Sequence, residues 1–205
     1  ADDDAVFASI EQLKNPRLRG RPGIVGAGVI ASCSYEARRF GLCAGMPIRQ
    51  AQRLCPQVEV LEGNHHTYAC FTDAIWAIAR RWLPEMETYL DEAYGDISGT
   101  EALLGHPLHM GRELRRQILE EVGLRVTVGI GSNRMVAKMA GKSAKPDGLA
   151  FVPAGDEDAF VADRPIGHLP GVILGAVLLA ALPEVLRYVA GPLQSMTDGR
   201  LDASI

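Results

Sequence analysis

The chain has little that would staple it, anchor it or charge it strongly. Its 205 residues contain four cysteines, Cys33, Cys43, Cys55 and Cys70, and no Cys-x-x-Cys pair. That spacing argues against a disulfide framework or a paired-cysteine zinc site and points to reduced thiols, as in a cytoplasmic protein. The longest apolar run, Val172 to Leu182, is too short to span a bilayer, and no N-terminal signal is visible. Excess positive charge is also lacking: the net charge is −4 and the pI about 5.7. This balance argues against an extended nucleic-acid surface, although local charge counts for more than the sum. Two of the histidines, His65 and His66, are adjacent, but no third ligand follows at a metal-binding spacing, so they read as loop residues. What remains is an ordinary globular composition, 47% hydrophobic and 22% charged. At this length it implies one large module or two to three small ones.

Within that composition, Leu90-Asp91-Glu92-Ala93-Tyr94 stands out. Two consecutive carboxylates interrupt a strand–turn–strand pattern, Met86 to Leu90 and Tyr94 to Ser98. Along a strand, neighbouring side chains point to opposite faces, whereas at a hairpin tip both can turn toward one point. Carboxylates held that close repel, and a divalent cation removes the cost. Read alone, the pair is equally a solvated acidic turn. Asp2, Asp3 and Asp4 open the chain, where alternation predicts a strand over Ala1 to Ala8 with a helix from Ser9. They suit a metal site at a sheet edge or a frayed acidic terminus.

Basic groups recur at informative spacings. Tyr35 and Arg38 share a face of the short helix predicted over Ser34 to Gly41. They form either a phosphate grip or a surface stacking pair. Arg134, Lys138, Lys142 and Lys145 follow at intervals of four, four and three. That stripe lies on a helix starting after Gly131-Ser132-Asn133, with Val136, Met139 and Ala140 turned to the core. It is either a solvated face or compensating charge for a polyphosphate beside clustered carboxylates. Phe71, Ile75, Ile78 and Trp82 predict a long core helix ended by Pro84, and Met110, Leu114 and Ile118 the buried side of another. Leu124 to Ile130 reads as a buried strand.

Together these stretches resemble the Y-family (translesion) DNA polymerases, in particular the bacterial DNA polymerase IV-like branch. The likeness is carried by Asp2-x-Asp4-Ala-x-Phe7-Ala-Ser-Ile-Glu11-Gln, Asn15-Pro-x-Leu-x-Gly20-x-Pro22 and Ser34-Tyr-Glu-Ala-Arg-Arg-Phe-Gly41. It continues through Gly45-Met-Pro47, Asp91-Glu-Ala-Tyr94, Thr127-Val-Gly-Ile130 and Ala144-Lys-Pro-Asp-Gly148. Each is weak alone; their order and spacing are specific.

The resemblance implies an α+β right hand. A ferredoxin-like palm would comprise residues 1–10 and 64–152, with small α/β fingers at 11–63. A helical thumb at 153–205 would hold a degenerate helix-hairpin-helix, and the C-terminal little finger would be absent. It implies that Asp2, Asp91 and Glu92, with the main-chain carbonyl of Asp3, hold two Mg²⁺ ions, for which Mn²⁺ can substitute. Phe7 would be the steric gate against a 2′-hydroxyl, and Tyr35, Arg38 and Lys145 would bind the nucleotide triphosphate. The implied partners are primer–template DNA, deoxynucleoside triphosphates and a sliding clamp, with no membrane. The sequence departs from the family at Asp3, where an apolar residue is usual, at Val6, where an aromatic is usual, and at Ile173, which replaces a thumb glycine. Two other readings stay open: a non-catalytic polymerase-like scaffold of a damage-response complex, and an untemplated nucleotidyltransferase.

Overall fold

The computed structural model describes residues 2–3, 5–89 and 91–162, with the side chains of Asp2 and Asp3 outside that description. The thumb expected at 153–205, including the Gly171-Val172-Ile173 turn, therefore lies largely outside the described residues. The described chain to Phe160 forms one compact unit.

The chain opens with β1 (Asp2–Asp3) and turns at Ala5, whose φ of 53° is left-handed, into α1 (Val6–Lys14). This corrects the strand expected over Ala1 to Ala8 and the helix start expected at Ser9. A left-handed residue breaks strand alternation, and Val6, Phe7, Ile10 and Leu13 then recur at helical spacing. Phe7 therefore sits on the first turn of a helix.

A small module follows, with β2 (Gly23–Val25), β3 (Ser32–Cys33), α2 (Tyr35–Arg38), α3 (Ile48–Leu54) and β4 (Glu59–Leu61). Its sheet runs β3-β2-β4, antiparallel then parallel. Ile24, Ile30, Leu42, Ala51 and Cys55 close a core of their own. Cys33 and Cys55 are buried, Cys43 and Cys70 exposed, and all four are free thiols.

Asn64 then caps α4 (His65–Ala79), its side chain accepting from the Thr67 amide at 3.0 Å. His65 and His66 are thus the helix's first turn, a correction to their reading as loop residues: an asparagine before a helical run is itself a start signal. Ile75 and Ile78 are buried and Phe71 and Trp82 partly so, but α4 ends at Ala79, which corrects the helix expected to run to Pro84 and leaves Trp82 in the turn beyond it. A hairpin of β5 (Glu85–Thr88) and β6 (Ala93–Asp96) comes next, in the register Glu87↔Tyr94 and Thr88↔Ala93. Short α5 (Glu101–Leu104) leads into α6 (Pro107–Val122), which buries Met110, Leu114 and Ile118.

The last segments are β7 (Val126–Ile130), α7 (Arg134–Ala144), β8 (Leu149–Phe151) and α8 (Glu157–Ala162). β7 is central to a β1-β7-β8 sheet, antiparallel to β1 (Asp2↔Thr127, Asp3↔Val126) and parallel to β8. The parallel step demands a crossover, which α7 provides.

Helix α7 lies almost flush on β7. A Cβ at Gly129 would stand 2.1 Å from the Ala137 carbonyl oxygen and 2.3 Å from the Gly141 amide nitrogen. Only a missing side chain permits that approach. Gly129→Ala should therefore push α7 off the sheet and lower the unfolding free energy in urea by about 1–3 kcal/mol or more. Gly23→Ala, at a strand position with open space, should stay within about 0.5 kcal/mol.

Candidate active site

The acidic pair occupies the turn between β5 and β6, which closes with the Tyr89 amide donating to the Glu92 carbonyl at 2.8 Å. Asp91 is exposed. The Glu92 side chain is only 23% exposed, and both its oxygens have partners. Oε1 accepts from the Lys138 ammonium at 3.1 Å, and Oε2 from the Tyr94 hydroxyl at 3.0 Å. Burial pushes the Glu92 carboxyl up, but the hydrogen bonds from Lys138 and Tyr94 outweigh it and hold the group below its ordinary range. The same contact, first from Glu92 and then Tyr94, holds the Lys138 ammonium above its usual value.

The partners come from the basic stripe. Asn133 caps α7 by accepting from the Val136 amide at 3.0 Å, which fixes the helix's phase. Arg134 then reaches the hairpin one turn before Lys138. Its guanidinium stacks 3.9 Å from the Tyr94 ring centroid and 5.2 Å from that of Tyr89, and donates to Glu87 at 2.8 Å. Half of the expected stripe is therefore engaged with hairpin carboxylates. Tyr94 is the Glu92 partner that spacing alone could indicate, since residues two apart on a strand share a face. A cleft of about 710 Å³ runs beside this cluster, lined in part by Glu92, Tyr94, Gly129, Arg134, Lys138 and Met110.

Lys145, expected on the helical stripe, instead follows α7 in extended backbone at the start of the Pro146-Asp147-Gly148 turn, which corrects that reading. The turn is anchored by Asp147, whose side chain accepts from Arg115 at 2.6 Å and also from Arg125. Arg115 also donates to the Asp147 carbonyl at 2.5 Å and the Val126 carbonyl at 3.1 Å, tying the turn to the start of β7.

Tyr35 and Arg38 come together as their spacing predicts. The Ser34 hydroxyl caps α2, accepting from the Ala37 amide at 3.2 Å, and the Arg38 guanidinium lies 4.5 Å over the Tyr35 ring. Phe7 is 7% exposed and stacks on Tyr68, centroids 4.4 Å apart and planes at 15°. The Tyr68 hydroxyl donates to Glu11 at 3.0 Å; burial and then Glu11 push it up to about 12, so it stays a donor at neutral pH. Phe7 and Tyr68 line a second cleft of about 430 Å³ with Val25, Ala31 and His65.

The backbone of Asp2 and Asp3 runs beside Thr127 and Val126. Among the described residues, no three His, Cys, Asp or Glu side chains cluster as a metal set. The chemistry of the hairpin nevertheless fits a hard divalent ion. Asp91 and Glu92 offer carboxylate oxygens, and one oxygen of Glu92 is already met by a full positive charge.

Solved structures similar to this chain include DNA polymerases. The chain is similar to DinB from Sulfolobus solfataricus, with a TM-score of 0.77 and 29% identity over 97% of this chain and 62% of that one. It is equally similar to an insertion ternary complex of Dbh DNA polymerase, with a TM-score of 0.77 and 29% identity over 96% of this chain and 62% of that one. The described residues thus share the mixed α+β fold of the Y-family polymerases. Residues 1–142 match the impB/mucB/samB family, and the chain belongs to it. DNA polymerase IV of Dehalococcoides mccartyi is 42% identical over 177 residues, 83% of this chain and 45% of the relative. DNA polymerase IV 2 of Mesorhizobium japonicum is 39% identical over 202 residues, 98% of this chain and 48% of the relative. The chain thus spans about half the length of these curated relatives. No helix among the described residues is long and apolar enough to cross a membrane.

The Asp147 anchor carries a pH signature. Burial raises its pKa, but hydrogen bonds from Arg115 and then Arg125 outweigh this and leave it below the ordinary aspartate value. A depressed folded pKa gives stability that is complete above the unfolded value, about 3.9, and lost as pH falls through the folded one. The wild-type urea midpoint should therefore drop between pH 6 and pH 3 by more than that of Asp147→Asn, which should already be lower at pH 6.

Proposed function

We propose that this chain is the catalytic core of a DNA-directed DNA polymerase of low fidelity, adding deoxynucleotides to a primer 3′-end. The observation that carries this reading is the acidic turn Asp91-Glu92, with Glu92 paired to Lys138 of a basic helix, in a fold whose solved neighbours include DNA polymerases. Asp2, Asp91 and Glu92, with the Asp3 carbonyl, would hold two Mg²⁺ ions, for which Mn²⁺ could stand in. When bound, the metals would supply activation of the primer hydroxyl and charge neutralisation on the leaving pyrophosphate. Nucleotidyl transfer needs little further covalent help, so the remaining residues position and balance charge.

Tyr35 and Arg38 would bind phosphate oxygens. Stacking on Tyr35 fixes the plane of the guanidinium and leaves its N–H edge for bidentate donation. Lys145, carried on the turn pinned by Arg115 and Asp147, would meet the triphosphate from another side. Phe7, held by its stack on Tyr68, would close the space that a 2′-hydroxyl needs. In this reading residues 1–10 and 64–152 form the palm, 11–63 the fingers and 153–205 the thumb. Primer–template DNA and deoxynucleoside triphosphates are the ligands, a sliding clamp a further partner, and the cytoplasm the compartment. The free thiols agree with a reducing location.

Primer extension on a primed template with Mg²⁺ tests the reading. Templated addition supports it, no addition supports a scaffold, and untemplated addition supports a nucleotidyltransferase. Asp91→Asn and Glu92→Gln should each lower extension by about a hundredfold or more with the far-ultraviolet circular dichroism unchanged. Phe7→Ala should raise ribonucleotide incorporation relative to deoxynucleotide; an unchanged ratio would make Phe7 a core residue alone.

A further inference from the structure

Two cations reach the acidic hairpin from α7, and they are held differently. Arg134 is fixed on three sides, stacked on Tyr94 and Tyr89 and paired with Glu87 at 2.8 Å. Lys138 makes one ion pair, with Glu92 Oε1 at 3.1 Å, and a lesser contact with the Tyr94 hydroxyl, and its side chain is 58% exposed. Its ammonium lies 6.0 Å from the Tyr94 ring centroid, too far for a strong stacking hold. A lysine is a compact, hydrated charge on a flexible stem, and it can leave such a pair for water at small cost. Glu92 has no spare oxygen: Oε2 is taken by the Tyr94 hydroxyl at 3.0 Å and Oε1 by Lys138. Each carboxylate oxygen keeps a second lone pair, but a further cation must come in beside one of these donors. Of the two, Lys138 is the one whose charge opposes an incoming cation.

We propose that Lys138 is a stand-in cation that occupies Glu92 until a divalent ion takes that oxygen, so that metal loading and release of Lys138 are one exchange. The inference rests on the metal role given to Glu92 above and adds a residue that sets how readily the metal enters. Lys138 is a positioning residue in this scheme: it neutralises Glu92 in the unloaded chain and keeps the carboxylate aimed across the cleft. The exchange is one of ligands at an oxygen, with no covalent bond made or broken.

The test is a Mn²⁺ titration of the full chain, without DNA or nucleotide, following the loss of the free-ion electron paramagnetic resonance signal. Lys138→Met should bind Mn²⁺ about fivefold more tightly than wild type, the fold-change expected from losing one exposed pair. Lys142→Met removes the same charge one turn further along the stripe and should change affinity less than twofold. Glu92→Gln should weaken binding and abolish the difference between Lys138 and Met. Equal tightening by Lys138→Met and Lys142→Met would overturn the proposal in favour of a general field effect. Unchanged or weaker binding by Lys138→Met would overturn it outright. If neither wild type nor Lys138→Met binds Mn²⁺, the metal role of the hairpin fails, and the exchange with it. Binding by wild type that Lys138→Met leaves unaltered refutes only the exchange. Both lysines are exposed, so unchanged thermal unfolding should accompany each variant.

Discussion

Neighbouring carboxylates in a tight turn repel each other, and the region around the β5–β6 hairpin is arranged to offset that repulsion. Asp91 and Glu92 are consecutive, with Glu87 close by on the same hairpin. The compensation is supplied by Arg134 and Lys138, one helical turn apart, each set against a different acid. Such solvent-exposed pairs add little to net stability. Their worth lies in fixing where the acids point, which matters more for a ligand-binding turn than net stability does.

Strand β7 makes this geometry reachable. On one edge it pairs with β1, which brings Asp2 and Asp3 alongside Thr127 and Val126. On the other it pairs with β8, and the crossover between them is α7 itself. The bare Gly129 lets α7 settle onto the strand, so its cations reach across to the hairpin. Arg115 ties the start of β7 to the Lys145 turn at the far end of α7. One five-residue strand thus sets the positions of the N-terminal aspartates, the basic stripe and the lysine beyond it.

Much of this was legible in the sequence because it rests on local periodicity. The buried sides of α4 and α6, the hairpin around Asp91-Glu92 and the stripe on α7 all follow from spacing at two or 3.6 residues. What escaped depended on single backbone choices or contacts between distant segments. Ala5 takes a left-handed conformation that alanine rarely adopts, which shortened β1 and moved Phe7 onto a helix. The cap made by the Asn64 side chain turns the two histidines, which read as loop residues, into the start of a helix. The pairing of Lys138 with Glu92 joins residues 46 apart. The stripe showed that the cations share a face, but not which acids that face would meet. The matched motifs carried the family, because order and spacing over much of the chain exceed what any one contact can specify.

The net charge of −4 looks unsuited to a protein whose ligands would be polyanions. The local pairing resolves the difficulty. With Arg134 on Glu87 and Lys138 on Glu92, two of the three hairpin carboxylates are neutralised in the unloaded chain, leaving the charge of Asp91. A divalent ion taking Glu92 would bring two positive charges and release a third on Lys138. The field at the cleft would then turn positive at the moment a triphosphate could be held there. Attraction for the anion would be switched on by the cation it accompanies, with no need for a basic surface exposed at all times. Such a site needs little overall positive charge, because it draws that charge from its metal.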